Sequence, residues 1–181
     1  MPALKIRIKK NRDGTAVLTC VREDGTTAWQ RQEGPRAAFF PLHDLTHFAV
    51  ETILEHRRGF YGLVAEGWDF ADFGTPWPRG PLPADADPSE LIVGFLDAER
   101  ASGIAWSAQD LAEKAAGYFA NQGISAPPLG VTDADLARIR EMRAELFERW
   151  ASVPAGETLE LNFEVPATPH PRPLDAKNEV G

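Results

Sequence analysis

Two imidazoles and a carboxylate, His43, Asp44 and His47, stand within five positions in the stretch PLHDLTHFAVE, residues 41 to 51. These residue types bind divalent metals and move protons. On an α-helix an advance of four residues returns to nearly the same face, so His43 and His47 are neighbours one turn apart and can share one ion. The zinc-hydrolase pattern His-Glu-x-x-His uses this separation and sets a carboxylate general base directly after the first histidine. Asp44 occupies that position here, one methylene shorter. The implied cofactor is a divalent metal such as zinc, with His43 and His47 as ligands and Asp44 or Glu51 as base. Glu51 also continues a His-x3-His-x3-Glu series, but residues 43 and 51 lie about 12 Å apart along a helix axis, which weakens it as the third ligand. A third ligand from elsewhere fits better, and no feature of the sequence identifies it. His56 faces elsewhere on the helix, and His170 falls in a proline-rich tail.

A wheel at about 100° per residue offers a competing reading. Leu42, Leu45, Ala49 and Ile53 make one apolar face, Val50 and Leu54 a second, and Asp44, Glu51 and Glu55 a narrow acidic strip. The histidines lie between the second apolar face and that strip. There a neutral imidazole packs its ring and gives its N–H to a carboxylate or a carbonyl, and Asp44 is favoured by the helix N-terminus. On this reading His-Asp-His is a structural cluster.

The segment PLHDLTHFAVE, followed by RGFYGLVAEG, resembles a family of uncharacterised bacterial proteins with a Pro-Leu-His-Asp-Leu-x-His-Phe/Tyr-x-Val-Glu stretch and then a Gly-Phe-aromatic-Gly stretch. The likeness covers residues 41 to about 67. It implies no activity, cofactor or ligand, and marks Pro41, His43, Asp44, His47, Glu51, Phe60 and Gly62 as the positions to follow. A second cluster, Phe60, Tyr61, Trp68, Phe70, Phe73 and Trp77, precedes a proline-rich stretch. Such aromatics are usually core, yet here they could line an apolar ligand pocket or a partner groove, with Tyr61, Trp68 and Trp77 as candidate binding residues.

The elements that position these residues follow from hydrophobic period. LKIRIKK, TAVLTCVRE and TTAWQRQ, separated by Asn11 to Gly14 and by Asp24-Gly25, predict a three-stranded antiparallel meander. From Pro41 the period becomes helical, with a helix over about 42 to 57 ended by Arg57-Arg58-Gly59 and a short one through about residue 67. Residues 75 to 88 hold five prolines and read as a loop or flap. Ser89, Ser107 and Thr132 are the predicted caps of three further helices, the last with Leu136, Ile139, Met142, Arg143, Leu146 and Trp150 at helical spacing. ETLELNFEV alternates strictly, and its acidic face would complement the basic face of LKIRIKK if the two strands pair. The expected fold is α+β: an antiparallel sheet of about four strands, the N-terminal meander plus the C-terminal strand, packed against four to five helices. Residues 1 to 165 would form one domain and 166 to 181 a disordered, proline-rich tail.

With 181 residues, 43% hydrophobic and 25% charged, the composition is that of an ordinary globular chain. A net charge of -8 disfavours an extended nucleic-acid surface or adsorption on anionic membranes. The basic residues of the first dozen positions read as the wet face of a strand. Cys20 reads as a small core residue. No secretion signal or membrane span is legible, so a cytoplasmic protein is expected. There is no nucleophile elbow, phosphate loop or dinucleotide fingerprint. The residues alone favour a small binding or interaction domain, its partner another protein or a second copy, with a structural His-Asp-His cluster. The alternative is a metal-dependent hydrolase-like enzyme using His43 and His47.

Overall fold

The computed structural model describes residues 3–74 and 82–167. Four strands, β1 (Ala3–Lys10), β2 (Ala16–Val21), β3 (Thr27–Gln32) and β4 (Thr158–Glu164), make one antiparallel sheet in the order β3-β2-β1-β4. The alternation that predicts the strands decides which face is covered: Leu4, Ile6 and Ile8 are wholly buried while Lys5, Arg7 and Lys9 point to solvent. The C-terminal strand lies beside β1, setting Leu4, Ile6 and Ile8 opposite Phe163, Leu161 and Leu159. On the outer face Arg7 Nε bonds Glu160 Oε1 at 2.8 Å. That pair is about half exposed at each end and contributes under about 1 kcal/mol. Each buried side chain of the inner row is worth about 1.5–3 kcal/mol, so the apolar row holds the strands together and the charges tune their register.

Six α-helices complete the described part of the fold, the first three packing against the sheet: α1 (Phe40–Ile53), α2 (Phe60–Ala65), α3 (Phe70–Gly74), α4 (Ser89–Ser102), α5 (Ala108–Ala120) and α6 (Asp133–Ser152). The α+β architecture with four strands is the one the sequence predicts. Helix α1 is the hub, touching α2, α4, α6 and β4. It is therefore buried over most of its circumference, and even Asp44, Thr46, His47 and Glu51 are shielded from solvent. Ser107 and Thr132 cap α5 and α6 as expected, each in a reciprocal capping box with the aspartate three residues on. No helix among the described residues is long and apolar enough to cross a membrane.

Three local expectations are corrected. Helix α1 stops at Ile53, not at residue 57: Glu55 takes a left-handed φ of 52° and the His56 amide returns to the Glu51 carbonyl at 3.0 Å. The aromatic segment forms two short helices, because α3 follows α2. Ser89 is not the cap of α4; Pro88 holds that position, and the Ser89 hydroxyl is bonded to His56 Nδ1 at 2.7 Å. The predicted flap and tail fall largely in residues 75–81 and 168–181, which lie outside the described residues, as do Trp77 and His170.

The early end of α1 folds the chain back so that α2 starts against it. This approach is close enough to demand glycine at two points. A methyl on Gly59 would sit 2.4 Å from Ser89 Oγ and 2.5 Å from the Glu51 carboxyl carbon, and one on Gly62 would sit 1.8 Å from the Arg57 carbonyl oxygen. Backbone cannot swing aside as a side-chain tip does. Gly62→Ala is therefore expected to lower stability by about 2 kcal/mol or more in urea denaturation. A change below about 0.5 kcal/mol would mean that the turn leading from Arg57 into α2 is looser than described.

Candidate metal centre

Helix α1 carries His43 and His47 one turn apart, their rings edge to face at 4.8 Å. Each ring is held from behind by a carboxylate. His43 Nδ1 meets Asp97 Oδ2 at 2.7 Å, and His47 Nδ1 meets Glu51 Oε1 at 3.1 Å. Glu51 Oε1 and Oε2 also accept the Phe60 and Tyr61 backbone amides at 2.8 and 2.9 Å. A carboxylate already receiving these donors is an acceptor toward the imidazole, so His47 Nδ1 bears the hydrogen. The Asp97 contact acts in the same sense on His43. Both Nε2 atoms are thereby turned the other way.

They converge on Glu90, in the first turn of α4. Its Oε2 lies 2.9 Å from His47 Nε2 and 4.0 Å from His43 Nε2, and one ligand atom from each of the three residues falls within 4.8 Å of the others. Two ligands bound tetrahedrally at about 2.1 Å stand about 3.4 Å apart. The two Glu90 separations bracket that value, while the 4.8 Å span of the set exceeds it, so closing on one ion requires the three ligand atoms to draw together. That side chain is 73% exposed and free to adjust, whereas His47 is 2% exposed. The rear carboxylates have the form in which metal-bound histidines are commonly held.

The three residues line a cavity of about 400 Å³ with Asp44, Arg58, Phe40, Phe60, Leu63, Phe70, Phe73, Leu82 and others. Asp44, almost wholly buried, accepts a hydrogen bond from Gln32 at the end of β3. Burial pushes the Asp44 carboxyl up to about 6, against the pull of Gln32 and both histidines. Burial also raises Glu51, opposed by His47 and the two backbone amides. For His47 burial disfavours the charge, but hydrogen bonds to Glu51 and Glu90 prevail and hold its pKa up at about 10. The bond from His47 lowers that of Glu90.

The sequence brings His43, Asp44 and His47 to one cavity as their spacing suggests. Glu51 stands behind His47, with no exposed surface, and closes the start of α2. Tyr61 is fully buried, its hydroxyl donating to the Asp44 carbonyl at 3.0 Å, and Trp68 is 6% exposed in the core. Sequence reasoning missed Glu90, Asp97 and Gln32. Glu90 carried only the weak signal of an acid in a helix's first turn, where the macrodipole alone would place one. No family model, curated protein or solved structure matches the chain. A functional reading therefore rests on this geometry.

In metal-free protein the imidazolium of His47 is stabilised by folding, since its folded pKa of about 10 exceeds the usual 6.5. Its contribution is complete below about pH 6.5 and is lost as pH rises toward 10. The melting temperature of metal-free protein should fall over that window, and the fall should be shallower in His47→Gln. Parallel profiles would remove the ion-pair description of His47.

Proposed function

We propose that this chain is a metal-dependent hydrolase whose divalent ion, of zinc type, is held by His43, His47 and Glu90. One observation carries the reading: two imidazoles, each fixed at Nδ1 by a buried carboxylate, turn Nε2 toward the same glutamate oxygen at a cavity. Two nitrogens and one carboxylate form a common catalytic zinc set, in which a fourth position is left for water or substrate. The ion supplies Lewis acidity and lowers the pKa of a bound water to about 7. Asp44, which lines the same cavity and directly follows a ligand, would be the base placed to receive a proton from a water held there as an ester or amide carbonyl is attacked, and would return it to the leaving group. Gln32 steadies Asp44 for this role.

A second reading has its own support. His47 already satisfies both ring nitrogens, on Glu51 and Glu90, without an ion. In that case the cluster is structural, and the chain is a binding domain for a protein partner or a second copy. Metal analysis of protein purified without a nickel resin, followed by zinc titration of the stripped chain, separates the two. The hydrolase reading expects about one zinc per chain, a higher melting temperature on loading, and loss of both effects in Glu90→Ala. Because Glu90 also bonds the buried His47, melting of the stripped variant is recorded beside that of the stripped wild type, and zinc uptake is compared where both are folded, so lost binding is told apart from lost fold. No uptake at micromolar zinc, with melting indifferent to chelator, would leave only the structural reading.

A further inference from the structure

The chemical class of molecule the cavity accepts can be read from its walls. Beside His43, His47 and Glu90 the cavity is lined by Phe40, Phe60, Leu63, Phe70, Phe73 and Leu82. Phe60 is the centre of this wall: it packs against His47 at 5.1 Å, stacks on Phe70 at 5.6 Å and meets Phe73 at 4.9 Å, all between ring centroids. A volume of about 400 Å³ suits a small organic molecule. The charged residues restrict the class further. Asp44, Asp87 and Glu90 line the cavity, and the guanidinium in its wall, Arg58, is already engaged by Glu66 at 2.9 Å and by Asp85. Beyond the ion itself, a substrate phosphate or carboxylate would find no uncommitted guanidinium or ammonium among the described lining residues and would face three acids. An aromatic or branched apolar group, by contrast, would exchange water for ring faces and edges.

We infer that the cavity beside the His43–His47–Glu90 centre is an apolar subsite for an uncharged aryl-bearing substrate, the ring lying on the Phe60–Phe70–Phe73 wall while the reacting carbonyl reaches the ion. This rests on the metal reading above and adds to it which molecules are taken. Exclusion of anions is as much a part of the inference as acceptance of the ring.

Three probes with one chelating group, acetohydroxamate, benzohydroxamate and 4-carboxybenzohydroxamate, separate these elements when titrated calorimetrically into zinc-loaded full-length protein. Benzohydroxamate should bind at least about tenfold tighter than acetohydroxamate, and the added carboxylate should weaken it. Phe73→Ala, which removes a ring packed on Phe60, should narrow the aryl preference with zinc per chain unchanged. Equal affinities for the first two probes, tighter binding of the carboxylated one, or no binding of any probe to zinc-loaded protein would overturn the subsite and leave the metal reading standing. Failure of the chain to take up zinc, read beforehand by metal analysis, would overturn both.

Discussion

Glu51 has no exposed surface, and a carboxylate so placed is tolerable only if donors replace the water it has lost. It has three: the amides of Phe60 and Tyr61 and the Nδ1–H of His47. Removing one partner of a buried ionic pair costs about 3–5 kcal/mol, several times what an exposed pair such as Arg7–Glu160 contributes. Much of the local structure follows from satisfying this one side chain. Helix α1 breaks at Ile53 so that the chain can return to it, Gly59 admits the approach, and α2 begins on its oxygens. At the other end of α2, Arg22, just after β2, donates to the Val64 carbonyl at 2.7 Å, so the short helix is bracketed by opposite charges. The orientation of the His47 ring is a by-product of the same arrangement.

The centre as a whole is short of positive charge. Asp44, Glu51, Glu90 and Asp97 surround two imidazoles, and among the described residues the guanidinium paired with one of these acids is that of Arg100, 3.6 Å from Asp97 Oδ1. Four carboxylates so arranged call for a cation, which is either protons on the histidines or a metal ion among the Nε2 atoms. Protonation explains the hydrogen bonds. It does not explain why both rings are backed by acids and aimed at one exposed glutamate on the edge of a cavity, an arrangement that suits an ion requiring fixed ligands and one accessible side.

The sheet and the long helices are plain in the sequence because each is specified locally. LKIRIKK and ETLELNFEV alternate with a period of two, and Ser107-Asp110 and Thr132-Asp135 close capping boxes within four residues. The face shared by His43 and His47 is legible for the same reason. Glu90 is not, since it lies 43 residues beyond His47 and joins the histidines through the packing of α4 on α1, which no local period encodes. Spacing drew Glu51 toward the metal as ligand or base, when its nearest obligation is to the amides of α2. The Arg57-Arg58-Gly59 run read as a helix end for a similar reason. A local stop signal was present, but burying Glu51 required an earlier one.

X-ray absorption at the zinc edge of the loaded protein addresses the central claim most directly. The geometry predicts a shell of nitrogen and oxygen near 2.0–2.1 Å with the outer scattering of two imidazoles, falling to one imidazole, or to no bound zinc, in His43→Ala. An oxygen-only shell, or a spectrum unchanged by that substitution, would contradict the assignment of His43, His47 and Glu90 as the ligands.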